Sequence, residues 1–427
     1  MKTERIADSE DHITKEAVSH STASLINPGA VLIVTRSGIL RHTLPVAVSS
    51  VVVTVNQDLK ALSPRNGIMA EYVAWALRAF GRDILNTCSK QGTTVNSVET
   101  AKLLRFEIPV APTEQQRSIV AEIEKQFSRL DEAVANLKRV KANLKRYKAS
   151  VLKAAVEGKL TEAWRKQHPS VEPASKLLER ILAERRREER FNEPDPLDTT
   201  LFDQLPNGWC WSRIEDLGSV QLGRQRAPKY HSGHNMRPYL RVQNVFEDHI
   251  DLEDVKEMDF PRDDYEKFKL KSGDILLNEG QSPHLLGRPA IYRGELPGAC
   301  FTNTLIRFKA DPPVTPEYPL IVFRAYMRTG RFTREGTITT NIAHLSAGRF
   351  AKIEFPVPPL REQREIVAEV ERRLSVIAKL EATVEANLTR ADRLRQAVLS
   401  QAFAGKLTCV NANRECRQSA DIETARA

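Results

Sequence analysis

Residues 223–241 read GRQRAPKYHSGHNMRPYLR: Arg224, Arg226, Lys229, Arg237 and Arg241 alternate with Tyr230 and Tyr239, and Gln243 and Asn244 follow. Guanidinium and ammonium groups fork onto phosphates or the edge of guanine, and carboxamides pair bidentately with adenine. Residues of these types at this density point to nucleic-acid contact. The competing reading is a solvated basic loop whose tyrosines pack inward. Asn278 and Gln281, in the polar loop after a strand-like run, Arg288 beyond it, and Arg36 and Arg41 near the N-terminus extend the candidate set. Trp209 and Trp211 read as core residues rather than base-stacking ones.

Other chemistry finds little support. Asp311-Pro312-Pro313-Val314 has the spacing of the Asp/Asn-Pro-Pro-aromatic loop with which adenine-N6 methyltransferases grip a flipped base. The stacking aromatic is replaced by valine, and no glycine-rich cofactor loop follows an upstream strand, so the stretch reads as a turn. There is no GxxxxGK[ST] phosphate loop and no GxSxG. His231 and His234 form an HxxH without a Glu or Cys partner at metal spacing. Asp195, in EPDPLD, lacks the downstream Glu-x-Lys of a PD-ExK nuclease. No catalytic residue and no metal site is predicted.

The bulk composition agrees with a polyanionic partner. The chain has 427 residues and a net charge of +9, from 64 Lys+Arg against 55 Asp+Glu. Hydrophobic residues make up 41% and charged residues 28%, an ordinary globular mixture sufficient for two or three cores. The cysteines (Cys88, Cys210, Cys300, Cys409 and Cys416) include no CxxC pair, which argues for reduced thiols rather than a disulfide framework. The first residues, MKTERIADSEDHITKE, have no apolar stretch of signal-peptide type. Leu44–Val55 is too short to span a bilayer and too β-branched to read as a helix. A cytoplasmic protein without membrane contact is expected.

The elements that must position the basic run are set out by a repeat. IPVAPTEQQRSIVAEIE (108–124) returns as FPVPPLREQREIVAEVE (355–371). Pro109 aligns with Pro356, an offset of 247 that holds without a gap to Gly158-Lys159-Leu160-Thr161 and Gly405-Lys406-Leu407-Thr408. Loops tolerate insertions, whereas a helix packed along its length does not. Each copy opens with prolines and meets no further Pro or Gly until Gly158 or Gly405, the pattern of one long helix. Ile123, Leu130, Leu137, Leu144 and Val151 recur every seven residues, with Val120, Phe127 and Val134 at the other seam position. Val370, Ile377, Val384, Ala391 and Val398 hold the same places in the second copy, and Lys141 and Lys148 interrupt the first seam late. A rod of ~45 residues is roughly 65–70 Å long. Two such rods with one apolar stripe each are expected to pack together.

Fainter matches precede each rod. Pro28–Ile33 resembles Ser272–Leu277, Leu44–Ala47 resembles Arg288–Ile291, and Gly92–Val95 resembles Thr339–Ile342. Residues 206–244 have no counterpart in the first half, so the first globular region is expected to be N-terminally short. The predicted organisation is a globular region over 1–108, a rod over 109–161 and a linker over 162–204. A second globular region over 205–355, a rod over 356–408 and a disordered tail over 409–427 follow. The linker holds SKLLERILAERRREERF (175–191), a charged helix whose RRREER run reads as a solvated face.

The lead-in PPLREQREIVAEVERR (358–373), the exit GKLT, the opening LPNGWCWSRIEDL (205–217) and the junction TTNIAHLSAGRFAKIEFPVPPL (339–360) resemble the specificity subunit of a type I restriction-modification system. The resemblance covers about residues 24–408. It implies a mixed α/β fold with two target-recognition domains separated by two long helices packed as an antiparallel coiled coil, related by a pseudo-two-fold repeat. It further implies a non-catalytic chain that reads a bipartite double-stranded DNA target. Two modification (methyltransferase) subunits and an ATP-dependent restriction subunit would be its partners. S-adenosylmethionine, ATP and Mg would sit on those partners and none on this chain. Gln116, Arg117, Ile119, Gln363, Arg364 and Ile366, at the helix lead-ins, become the candidate partner contacts. The alternatives are an orphan or truncated DNA-binding module without enzyme partners, and a coiled-coil scaffold that binds proteins. Steep loss of affinity with salt marks a DNA reader and not a scaffold.

Overall fold

The computed structural model describes residues 3–90, 95–187, 197–339 and 341–407. The chain is mixed α/β and divides into two units. One takes the described residues up to Val140 together with those from Thr383 onward; the other is Lys141–Ala382. The division cuts both long helices, so each unit owns part of each.

In the first unit, the β-branched run Val31–Val34 is a central strand. It pairs antiparallel with Val46–Ser49 on one side and Leu59–Leu62 on the other. Arg5–Ile6 adds a short parallel strand outside Val46–Ser49. The helix Ala70–Ala79 has two apolar faces. Ala74 and Leu77 pack on the sheet residues Val31, Ile33, Val46 and Val48. Tyr72 and Trp75 instead meet Ile119, Val120, Ile123 and Phe127 of the first long helix and Leu399 and Ala402 of the second. The start of one long helix thus lies beside the end of the other, and the Arg395 guanidinium there pairs with Asp131 and covers the Phe127 ring at 4.9 Å.

The second unit repeats this order of elements on a larger scale. Ile275–Asn278 is central, between Pro289–Ile291 and Leu305–Ala310, both antiparallel. Gly218–Leu222 continues the sheet beyond Leu305–Ala310. Gly218 must be glycine, because a Cβ there would stand 2.3 Å from the Lys309 carbonyl oxygen. A second sheet orders Lys256–Asp259, Met236–Leu240 and Cys300–Phe301. The helix Glu317–Thr329 is buried almost all round, with Phe323 edge-on to Phe308 at 5.3 Å and Phe350 at 5.2 Å, and it ends on Gly330 in the left-handed region at φ 74°.

The long helices run from Thr113 to Val156 and from Leu360 to Phe403, 44 residues each. Both start a few residues inside the predicted rods, since Pro109 and Pro112, or Pro356, Pro358 and Pro359, lack the N–H that a helix interior needs. In the second helix Val370, Ile377, Val384 and Ala391 are buried at intervals of seven. The same tyrosine pins each lead-in: the Tyr72 hydroxyl donates to the Pro109 carbonyl at 2.9 Å, and the Tyr318 hydroxyl to the Pro356 carbonyl at 2.9 Å. The linker helix spans Ala174–Arg185, shorter than the expected 175–191. The second half of the RRREER run (188–190), Asp195, most of the 92–95 match, Thr340 and residues 408–427 lie outside the described residues, and Arg185, at the start of that run, is half-buried against Asp311 rather than on a solvated face. Among the described residues no helix is long and apolar enough to cross a membrane.

Candidate nucleic-acid interface

The basic run 223–241 leaves the edge of one sheet of the second unit and enters the other. Its cations fall into two classes. Arg226, Lys229 and Arg237 are exposed and lie over aromatic rings. The Arg226 guanidinium is 5.7 Å from the Tyr239 ring centre, the Lys229 ammonium 5.0 Å from Tyr230, and the Arg237 guanidinium 4.8 Å from Tyr265. Such ring contacts hold a long side chain while leaving its hydrogen-bond donors free for an anion. Tyr265 also carries the Lys269 ammonium at 5.1 Å, so one ring gathers two cations. Gln243 is exposed. The sequence reading missed Tyr265 and Lys269; the alternation in YEKFKLK (265–271) was the available signal.

Arg224, Arg241 and Asn244 are corrections. The Arg224 guanidinium is only 6% exposed, sits 4.0 Å from the Tyr230 ring centre and 4.9 Å from that of Phe260, and pairs with Asp264 at 2.8 Å. Arg241 is buried and pairs with Asp254. The Asn244 carboxamide closes the following turn, donating to the Asp251 carbonyl at 3.0 Å and the Asp254 carbonyl at 3.1 Å. All three are buried and bonded within the unit, although the Arg241 Nε is left without a partner among the described residues.

Asn278, Gln281 and Arg288 cluster at the end of the central strand. Asn278 is fully buried, which corrects its reading as a base contact. Gln281 is half-buried, in a small sheet that orders Gly280–Gln281, Ile342–His344 and Thr337–Thr339. Its neighbour Gly280 allows His344 to lie across the backbone, where a Cβ would meet the ring at 2.9 Å, and His344 Nδ1 is 3.3 Å from Glu279 Oε2. Arg288 is half-buried and lies 4.5 Å from the Phe246 ring centre, and burial holds its guanidinium below the ordinary arginine value. In the first unit Arg36 is exposed on a matching small sheet of Arg36–Ser37, Asn96–Val98 and Ser89–Lys90, and Arg41 is exposed on the turn that follows Arg36–Ser37.

The partner candidates divide in the same way. Gln116, Ile119, Gln363 and Ile366 are buried, and this corrects their reading as docking residues. Gln116 accepts from the Met69 amide at 2.9 Å and donates to the Ala111 carbonyl at 2.7 Å. Gln363 donates to the Pro358 carbonyl at 3.0 Å. Both glutamines lock the proline lead-in onto its helix. Arg117 and Arg364 are exposed, Arg117 in an ion pair with Glu114 at 2.6 Å.

Asp311-Pro312-Pro313-Val314 is a turn: the Val314 amide donates to the Asp311 carbonyl at 3.0 Å, Val314 is buried, and Asp311 pairs with Arg185 at 2.6 Å. His231 and His234 are exposed on a loop, and among the described residues no group of three or more metal-ligating side chains occurs.

Two mixed α/β units, the second with a basic loop backed by aromatic rings, and two long helices of equal length define the class of fold. The particular family is given by comparison. The family model for the type I restriction modification DNA specificity domain matches residues 2–146 and 206–390, and the chain belongs to that family. It is 40% identical over 129 residues to the Escherichia coli type I restriction enzyme EcoR124I/EcoR124II specificity subunit, a stretch that takes in 30% of this chain and 32% of that subunit. It is 26% identical over 319 residues to the EcoKI specificity subunit of E. coli K12, covering 74% of this chain and 61% of that subunit. The chain therefore spans less than two thirds of either relative. A chain from a structural study of complex assembly and conformational transition in the type I R-M system shares the fold, with a TM-score of 0.60 at 19% identity over 90% of this chain and 84% of that one.

Proposed function

We propose that this chain is the DNA-recognition subunit of a type I restriction-modification complex and reads a bipartite target. The supporting observation is the double match to one specificity-domain family, each copy running into a helix of 44 residues. Each unit reads one block of the target. The two helices form an antiparallel coiled coil that fixes the spacing of the readers, so an unread gap of constant length separates the blocks. The repeat is pseudo-two-fold, which suits a duplex whose backbone has two-fold symmetry.

In the second unit Arg226, Lys229, Arg237 and Lys269 contact phosphates, while Gln243, Gln281 and Arg288 face base edges; Arg36 and Arg41 serve the first. The chain is non-catalytic. Modification subunits dock on the exposed faces of the helix starts, around Arg117 and Arg364, and carry S-adenosylmethionine. A restriction subunit carries ATP and Mg. The complex works in the cytoplasm.

Co-expression with its modification subunit, followed by single-molecule mapping of methylated adenines, tests this reading. Two short blocks around a fixed gap are expected. A single uninterrupted motif from an assembled complex would overturn the two-reader arrangement.

A further inference from the structure

Each unit carries a small three-stranded antiparallel sheet, and the two sheets are paired alike. In the second unit Thr337–Thr339 pairs with Ile342–His344, which pairs in turn with Gly280–Gln281. In the first, Ser89–Lys90 pairs with Asn96–Val98, and that strand with Arg36–Ser37. The registers coincide. His344 lies between Thr337 and Gly280, and Ser97, 247 positions earlier, lies between Lys90 and Arg36.

Side chains alternate across a strand, so Thr337, Thr339, Ile342 and His344 share one face. All four are exposed, whereas Ala343, on the opposite face, is fully buried. The solvent face of such a sheet is ordinarily polar. Here Ile342 stands 48% exposed among two threonines and a histidine, and Val95, at the same register position of the first unit, is 39% exposed. One exposed aliphatic is ordinary; one at the same place in both copies, on an otherwise polar face, marks a contact. Cations stand at the margin of each face. Arg349 donates to the Thr337 hydroxyl at 2.6 Å, and in the first unit the exposed Lys90 and Arg36 flank Ser97. The Glu279 carboxylate lies 3.3 Å from His344; it repels phosphate but can accept from the amino group of cytosine. Hydroxyls, an imidazole, a carboxylate and one aliphatic suit base edges better than the phosphate backbone. The apolar group that base pairs present in the major groove is the thymine 5-methyl, and a two-stranded ribbon fits that groove.

We propose that this face enters the major groove as a base-reading surface, and that Ile342 in the second unit and Val95 in the first each take a thymine 5-methyl group. The inference rests on the DNA-recognition reading above. It adds an apolar determinant of sequence to each reader, beside the cations and carboxamides already placed there.

The test uses the full chain assembled with its modification subunit and the target duplex found by methylation mapping. Deoxyuridine replaces thymine one position at a time, which keeps the pairing and removes only the methyl. In competition titrations one such change in each block should weaken binding about fourfold, the effect of one buried methyl. Ile342→Ala should weaken binding of the thymine duplex by at least that factor and abolish the discrimination in one block, and Val95→Ala should do so in the other. Ile342→Val should keep both, and thermal unfolding of all three variants should match the parent, since the positions are exposed. Specific binding that is indifferent to deoxyuridine, or discrimination that survives both alanine changes, overturns the proposal and leaves the bipartite reading standing. A target block without an A·T pair does the same. A folded Ile342→Ala chain that no longer assembles with the modification subunit also overturns it, and assigns the face to protein contact. Absence of any sequence-specific binding by the assembled parent complex would overturn both this proposal and the reading on which it rests.

Discussion

The indole nitrogen of Trp209 donates to the Glu362 carboxylate at 2.9 Å, and that carboxylate is wholly buried. Its other oxygen accepts from the Thr161 hydroxyl at 2.7 Å and from Arg165 at 2.8 Å. The network joins the exit of the first long helix, the opening of the second unit and the start of the second long helix. Removing one member of a buried ion pair strands the other and costs about 3–5 kcal/mol. Arg165 retains some exposure, which places Glu362→Ala at the lower end. Urea unfolding followed by hydrogen exchange in 205–217 should show the loss there, with the first unit unaffected. Unchanged exchange in that stretch would show that the carboxylate is dispensable.

Exposed and buried arginines of the basic run should respond differently. Arg226→Ala, Lys229→Ala and Arg237→Ala should each weaken DNA binding about equally across sequences and lower the slope of log affinity against log salt by ~1 per phosphate contact. Arg224→Ala should instead destabilise the second unit, because Asp264 loses its partner and the Tyr230 and Phe260 rings lose the guanidinium packed on them. Anisotropy titrations over a salt series, alongside thermal unfolding, separate the two outcomes. A reduced salt slope in Arg224→Ala with unchanged stability would restore it as a DNA contact.

Much of the architecture was legible because it rests on period and length. The offset of 247 between the repeats is the offset between the helix starts Thr113 and Leu360 and between the helix ends Val156 and Phe403. The buried positions Val370, Ile377, Val384 and Ala391 are those of the predicted seam. The site was less legible, since residue type does not report burial. Arg224 and Arg226 are two positions apart, yet Tyr230 and Phe260 close over one and leave the other in solvent, and Phe260 comes from a distant strand end. Gln116 and Gln363 drew notice by recurring, and they recur because each ties down a proline lead-in.

Acid should loosen the second unit through Glu247. Burial raises the affinity of this carboxyl for a proton, but Arg324 at 3.1 Å and Arg328 outweigh it and hold the value below the ordinary glutamate one. A lowered value in the folded state means stability that is present above the unfolded glutamate range and lost as pH falls through the folded one. Glu247→Gln should therefore be less stable than the parent chain at neutral pH, and the gap should narrow under acid. Unfolding curves from neutral to acid pH check this; a gap that is constant with pH would assign the loss to packing.

Burial should also silence the thiol of Cys300. The side chain is fully buried in the sheet of Met236–Leu240, and desolvation pushes its pKa up to about 12, against an ordinary 9.0. Cys210, half-buried, is pushed up to about 11 by the same cause. Alkylation proceeds through the thiolate, so at pH 8 the reactive fraction of Cys300 is about a thousandfold below that of an unfolded cysteine. Native protein treated briefly with iodoacetamide at pH 8 should leave Cys300 unmodified and Cys210 nearly so, whereas urea-unfolded protein should take label at both. Raising the pH to 9 should speed labelling of the unfolded chain and leave native Cys300 unlabelled, because it lacks access as well as charge. Rapid labelling of Cys300 in the native protein would mean that its sheet opens far more readily than its packing implies.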